Sequence, residues 1–127
     1  MASSKITLTA SNIKYILALN FLCKGSSSTR SISLAKMLEV TKPSVHTGIN
    51  NLKEMNLVNK NRYGTVSLTS EGKKIANQYS KYYELISNSL SIMLTDPCDI
   101  WSATCAVLAQ VPPECLCEMP DGYHQLL

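Results

Sequence analysis

The stretch Thr41-Lys42-Pro43-Ser44-Val45-His46-Thr47-Gly48-Ile49-Asn50-Asn51-Leu52 decides how the rest of the chain is read. Thr41 is a strong N-cap residue, and Pro43 stands in the first turn, where its missing N–H costs nothing. Val45, Ile49, Leu52 and Met55 recur at spacings of four, three and three, which predicts a helix running to about Asn56 with one buried face. The opposite face is polar and carries Lys42, Ser44, His46, Thr47, Asn50 and Asn51. A tight turn at Glu39-Val40 precedes it. Before that turn a short helix is predicted over 31–39, with Ile32, Leu34, Ala35 and Leu38 inward.

Further upstream, residues 11–24 read as a helix. Ile13, Ile16, Leu17, Leu19, Phe21 and Leu22 make it apolar around most of its circumference, so it is expected to be buried on more than one side. Gly25-Ser26-Ser27-Ser28 closes it as a loop. Downstream, the β-prone runs 57–60 and 65–68 flank Asn61-Arg62-Tyr63-Gly64, a hairpin with a basic, aromatic tip. Tyr63 either packs under this hairpin or reaches outward. Thr69 or Ser70 then caps a long helix whose apolar stripe is Ile75, Tyr79, Tyr82, Ile86, Leu90 and Met93. Asp96-Pro97 opens another helix to about Ala109, and Pro112-Pro113-Glu114 a last short helix or turn.

Three helices, a tight turn between the second and third, and a hairpin wing make the winged helix-turn-helix pattern. The expected class is mainly α: an N-terminal winged helix-turn-helix over 1–74, then a C-terminal helical dimerisation region over 75–127. A helix fits the major groove of B-DNA, and residues at its N-terminal end reach base edges. That end carries Thr41, Lys42, Pro43, Ser44, His46 and Thr47, with Asn50 and Asn51 one turn on. The start of the second helix, near Arg30, Ser31 and Ser33, offers backbone N–H groups to a phosphate. Arg62 and Tyr63 at the wing tip can meet a minor groove or a backbone phosphate.

Charge agrees with this assignment. Of the 127 residues, positions 1–81 hold all twelve Lys and Arg and three acids, a charge of +9; positions 82–127 hold six acids and no Lys or Arg, a charge of −6. A basic half suits a polyanion, and an acidic half repels one. No apolar run reaches membrane-spanning length and no signal-peptide pattern opens the chain, so a cytoplasmic protein is expected.

Four segments carry a family resemblance: Tyr15-Ile16-Leu17-Ala18-Leu19, Arg30-Ser31-Ile32-Ser33-Leu34-Ala35-Lys36-Met37-Leu38, Lys42-Pro43-Ser44-Val45, and the run from Gly64 through Thr69-Ser70-Glu71-Gly72 to Ala76. The chain resembles the diphtheria toxin repressor family of metal-dependent regulators, in the short form close to the manganese transport regulators. The match covers 12–77 well and continues weakly through Tyr83-Glu84-Leu85-Ile86 to about Glu114. The wing and following helix are shared with the multiple-antibiotic-resistance regulators. The resemblance implies a homodimer that holds a palindromic double-stranded DNA operator and pairs through its C-terminal helices. Ile86, Leu90, Met93, Leu94, Ile100, Trp101, Val107 and Leu108 would supply the apolar surface for that pairing.

The resemblance also implies a divalent transition metal, and here the sequence departs. At the family's ligand positions this chain has Lys14 and Leu17 in the first helix and Tyr83 in the long helix. An ungapped count from Tyr83 gives Cys105, Leu108 and Ala109 in the next. Only Cys105 can ligate. Hard divalent cations need several oxygen or nitrogen donors, so the metal site is expected to be degenerate, and a divalent metal is implied by the family resemblance alone. Lys14 could supply, as a fixed charge, what the ion supplies elsewhere.

Five cysteines without a secretion signal read as free thiols. Cys98 and Cys105 share a face of one helix but stand about 10.5 Å apart along its axis at 1.5 Å per residue, too far for a disulfide within the chain. Small buried apolar residues is the plain reading of both. Cys115, Cys117 and His124 form a weak metal pattern. No phosphate loop, nucleophile–base pair or HExxH motif points to an enzyme. Two alternatives stay open: a regulator of the multiple-antibiotic-resistance type answering to a small ligand or thiol oxidation, and a winged-helix protein-interaction module that does not bind DNA.

Overall fold

The computed structural model describes residues 7–111. Its elements in chain order are α1 (Ala10–Leu22), β1 (Thr29–Arg30), α2 (Ser31–Leu38), α3 (Lys42–Glu54), β2 (Val58–Lys60), β3 (Thr65–Leu68), α4 (Ser70–Leu90) and α5 (Pro97–Gln110). The architecture is mainly helical, as expected, with three helices, a wing, and two further helices.

Helix α1 is the centre of the fold. It packs against α2, α3, α4 and α5, which is why its apolar residues run around most of the circumference, although Phe21, in its last turn, is 61% exposed and not part of the buried set. Ile13, Ile16 and Leu19 are fully buried. Its start is a reciprocal cap: the Asn12 N–H donates to the Thr9 hydroxyl, and the Thr9 N–H donates to the Asn12 side-chain oxygen, both at 3.0 Å. This moves the helix start to Ala10, one residue before the sequence expectation. Asn20 on α1 donates to Ser80 on α4 at 3.1 Å, a polar tie between the two helices.

Helix α2 ends where Glu39 enters the left-handed region at φ 55° and the Val40 N–H returns to the Ala35 carbonyl. This is the tight turn that the sequence pattern required. Leu34 and Ala35 are buried as expected, but Ile32 is 44% exposed. Ile32 lies in the first turn, on the side turned to the wing rather than to α1, so its inward assignment is corrected. In α3, Val45, Gly48, Ile49 and Leu52 face inward, and Met55 is half-buried just past the helix end.

The sheet has three strands, in the order β1-β3-β2, all antiparallel. The hairpin β2–β3 was expected; β1 was not, because two residues after a serine loop carry no alternation. Thr29 pairs with Val66 and Arg30 with Thr65, so the segment entering α2 is zipped to the wing. Helix α4 opens on Thr69, whose hydroxyl accepts the Gly72 N–H at 2.9 Å and donates to the Asn56 carbonyl at 2.7 Å. The helix ends at Leu90, so Met93 lies beyond it and is exposed, not part of its stripe. Asp96 caps α5 through the Cys98 N–H at 2.8 Å. One continuous core runs from Leu8 to Leu108 and crosses position 74. Pro112, Pro113 and Glu114 lie outside the described residues. Among the described residues no helix is long and apolar enough to cross a membrane.

Candidate nucleic-acid interface

The N-termini of α2 and α3 and the wing tip enclose a cleft of about 580 Å³. Arg30, Lys42, Lys60 and Arg62 line it, together with His46 and Tyr63, and among the described residues no carboxylate does. Each cation is set there by a local structural reason. Arg30 ends β1 and is the N-cap of α2. Lys42 is the first residue of α3. Lys60 ends β2. Arg62 sits in a turn built by Asn61, whose side-chain oxygen accepts the N–H groups of Tyr63 and Thr65 at 2.9 and 3.0 Å, with Gly64 at φ +80°.

The wing is fastened to α2 as well. Both the N–H and the hydroxyl of Ser31 donate to the Gly64 carbonyl, at 2.8 and 3.1 Å. The Ser31 N–H is therefore not one of the free groups expected at this helix start; it holds the wing in place. Ser33 is half-buried and does not line the cleft. Tyr63 is 77% exposed, which decides between its two readings: it reaches outward from the tip.

On α3, Lys42, Pro43, Ser44, His46, Thr47 and Asn51 are exposed and Asn50 is half-buried. They divide between two flanks. His46 and Asn50 face the wing: the Lys60 ammonium lies 3.1 Å from His46 Nδ1 and the Asn50 carboxamide 3.1 Å from His46 Nε2. Ser44, Thr47 and Asn51 line a second cleft, toward α5. Thr41 is committed to capping, its hydroxyl accepting the Ser44 N–H at 3.2 Å and donating to the Ser44 hydroxyl at 2.9 Å. Lys60 was missing from the sequence-based set. Its one signal was its position at the end of a strand next to the basic tip.

The residues at the resemblance's metal positions come from α1, α4 and α5. Cys105 is fully buried, and burial pushes its thiol up to about 12, against the opposing pull of Lys14. Burial also raises Tyr83, and the nearby Cys105 raises it further. Lys14 and Tyr83 thus each lie close enough to Cys105 to interact with it. Leu17 and Leu108 are core residues, and Ala109 is half-buried. A protonated buried thiol, an ammonium, a phenol and two leucines do not form a donor set for a divalent ion. Among the described residues no three His, Cys, Asp or Glu side chains gather at one point. Cys105 fits the reading of a buried apolar residue; Cys98, seven positions earlier, is exposed and does not. Cys115, Cys117 and His124 lie outside the described residues.

A three-helix core with a three-stranded wing and an exposed third helix defines the winged helix-turn-helix fold. No family model and no curated protein sequence matches the chain. Solved structures do. IdeR of T. acidophilum superposes with a TM-score of 0.60 at 17% identity, over 99% of this chain and 53% of that one. A variant of ZitR from Lactococcus lactis superposes with a TM-score of 0.55 at 15% identity, over 90% of this chain and 80% of that one. The chain thus spans about half the length of IdeR. At these identities the likeness is one of fold, and the fold is the one the sequence resemblance implied.

Proposed function

We propose that the chain is a sequence-specific DNA-binding transcriptional regulator, a repressor that acts as a homodimer on a palindromic operator. The observation that carries this reading is the cleft in which four cations, with no carboxylate among the described residues, stand beside the exposed start of α3. Cations beside a helix N-terminus hold the phosphate backbone that borders a major groove, while the exposed helix face next to them meets the bases. Arg30, Lys42, Lys60 and Arg62 take phosphates. Ser44, His46, Thr47, Asn50 and Asn51 read base edges, and Tyr63 rides at the wing tip. Ile92, Met93 and Val111, exposed at 86, 72 and 38%, favour pairing through the cation-free C-terminal half. A dimer would place two α3 helices about 34 Å apart on one DNA face.

The test selects genomic fragments with the purified full chain and measures affinity against salt. A regulator of this kind loses roughly 10³-fold or more in affinity between 50 and 200 mM salt and retains a preferred sequence. Affinity weaker than millimolar at every salt concentration would instead make the chain a protein-interaction module.

A further inference from the structure

The second cleft, between α3 and the start of α5, has a volume of about 960 Å³. Its chemistry differs from that of the phosphate-facing cleft. Tyr15 and Trp101 contribute aromatic surface, and Met37 and Val40, 42 and 37% exposed, contribute apolar surface turned to water. Among the described residues Lys14 is the one cation that lines the cleft and Glu39, on the exposed turn after α2, the one carboxylate. Lys14 has no salt-bridge partner among the described residues, and the Trp101 indole N–H has no acceptor there. The Trp101 ring is held by Tyr83, centroid to centroid 5.5 Å at 57°.

We propose that this cleft binds a small aromatic carboxylate, stacked on Trp101 and paired with Lys14, and that its binding weakens the hold of α3 on DNA. The second half of this statement rests on the DNA-binding reading above. Cavities for small organic ligands run to about 1,000 Å³ and combine apolar walls with few polar anchors, the composition found here. The anchor decides the charge of the ligand: a half-buried lysine with no counter-ion among the described residues favours an anion, whereas Glu39 is exposed. The aromatic surface decides its shape. Communication is short. The Tyr15 hydroxyl donates to the Ser44 carbonyl in the first turn of α3 at 3.1 Å, and Ser44, Thr47 and Asn51 form the far wall. An anion seated there cancels the Lys14 charge and stands beside the helix that approaches phosphates, so occupancy and DNA binding oppose each other, each to the same factor.

The full chain is titrated with 2-naphthoate and with the neutral 2-naphthamide, by calorimetry and by fluorescence of its one tryptophan. The carboxylate should bind saturably, quench Trp101, and bind about tenfold more tightly than the amide. Lys14→Met should remove that preference, Lys14→Arg should keep it, and Trp101→Phe should weaken both ligands. Saturating naphthoate should lower DNA affinity roughly fivefold or more in the wild type and not in Lys14→Met. Absence of saturable binding up to about 10 mM, or equal affinity for acid and amide in the wild type, overturns the site whether or not the variants fold. Lys14-dependent naphthoate binding in a chain that binds no DNA would overturn the regulator reading alone. DNA binding indifferent to bound naphthoate would overturn the proposed coupling.

Discussion

Lys60 and His46 join the wing to α3: the ammonium of one donates to Nδ1 of the other across 3.1 Å. An ammonium only donates, so Nδ1 must be the accepting, unprotonated nitrogen and the proton must sit on Nε2. The Asn50 carboxamide nitrogen stands 3.1 Å from Nε2, and two donors cannot share that contact, so the Asn50 amide must turn over to present its oxygen to Nε2–H. The contact thus selects one neutral tautomer and one amide orientation. Long-range ¹H–¹⁵N spectra at alkaline pH should show His46 protonated at Nε2. Lys60→Met should let both tautomers appear. A Nδ1-protonated ring in the wild type would contradict this assignment.

If the proposed DNA complex forms, the four cleft cations should be distinguishable by their salt behaviour from the α3 residues assigned there to base edges. A side chain that neutralises one phosphate releases about one counter-ion, so Lys42→Ala and Arg62→Ala should each lower the slope of log affinity against log salt by about 1 and weaken all sequences alike. Thr47→Ala or Asn51→Ala should leave the slope unchanged and cost about 1–3 kcal/mol on the preferred sequence only. Filter binding or anisotropy on specific and scrambled duplexes at several salt concentrations measures both quantities.

The helices were legible because their signals are local. Thr41 and Pro43 mark a helix start whatever surrounds them, and the spacing of Val45, Ile49 and Leu52 needs no tertiary information. The all-round apolarity of α1 predicted its central position for the same reason. What escaped was set by partners distant in sequence. Strand β1 exists because Thr29 and Arg30 meet Val66 and Thr65, and nothing in two residues announces a strand. Ser31 looked like a phosphate donor, since helix starts leave N–H groups free, but Gly64, 33 residues on, takes its hydrogen bonds. Lys60 joined the cleft only once the hairpin register was set. The apolar cleft beside Trp101 could not be read at all, because its walls come from α1, the α2–α3 turn, α3 and α5.

Gly72 shows how tightly the wing is seated on α4. A Cβ there would collide with the Leu57 carbonyl oxygen, the atom that accepts the Thr69 N–H at 3.0 Å. Backbone cannot swing aside as a flexible side-chain tip can. Gly72→Ala gains about 1 kcal/mol of helix propensity and loses more to overpacking, for a net destabilisation of about 2 kcal/mol. Gly25→Ala is the control: φ is +78° but nothing lies within 4 Å, so only the left-handed backbone penalty of about 1 kcal/mol remains. Urea melts should rank the two in that order. A Gly72→Ala protein as stable as wild type would show that the wing is seated more loosely than this contact implies.

The buried thiol of Cys105 makes stability fall on the alkaline side. Its ordinary value of 9.0 is pushed up to about 12 by burial, while an unfolded chain ionises near the ordinary value. Between the two the unfolded state has released a proton that the folded state still holds, so the unfolded state binds fewer protons and stability declines as pH rises. The contribution is complete below about pH 9 and is lost toward about pH 12. Full loss amounts to a few kcal/mol, since each tenfold difference in proton affinity between the two states is worth about 1.4 kcal/mol. Cys105→Ala should flatten the limb between pH 8.5 and 10.5, at a cost in packing that is the same at every pH. Thiol labelling gives a second readout. At pH 8, alkylation should reach exposed Cys98 in the native protein and reach Cys105 only on unfolding, as peptide mass mapping would show. Equal labelling of the two in the folded state would mean that the α1–α4–α5 core admits solvent.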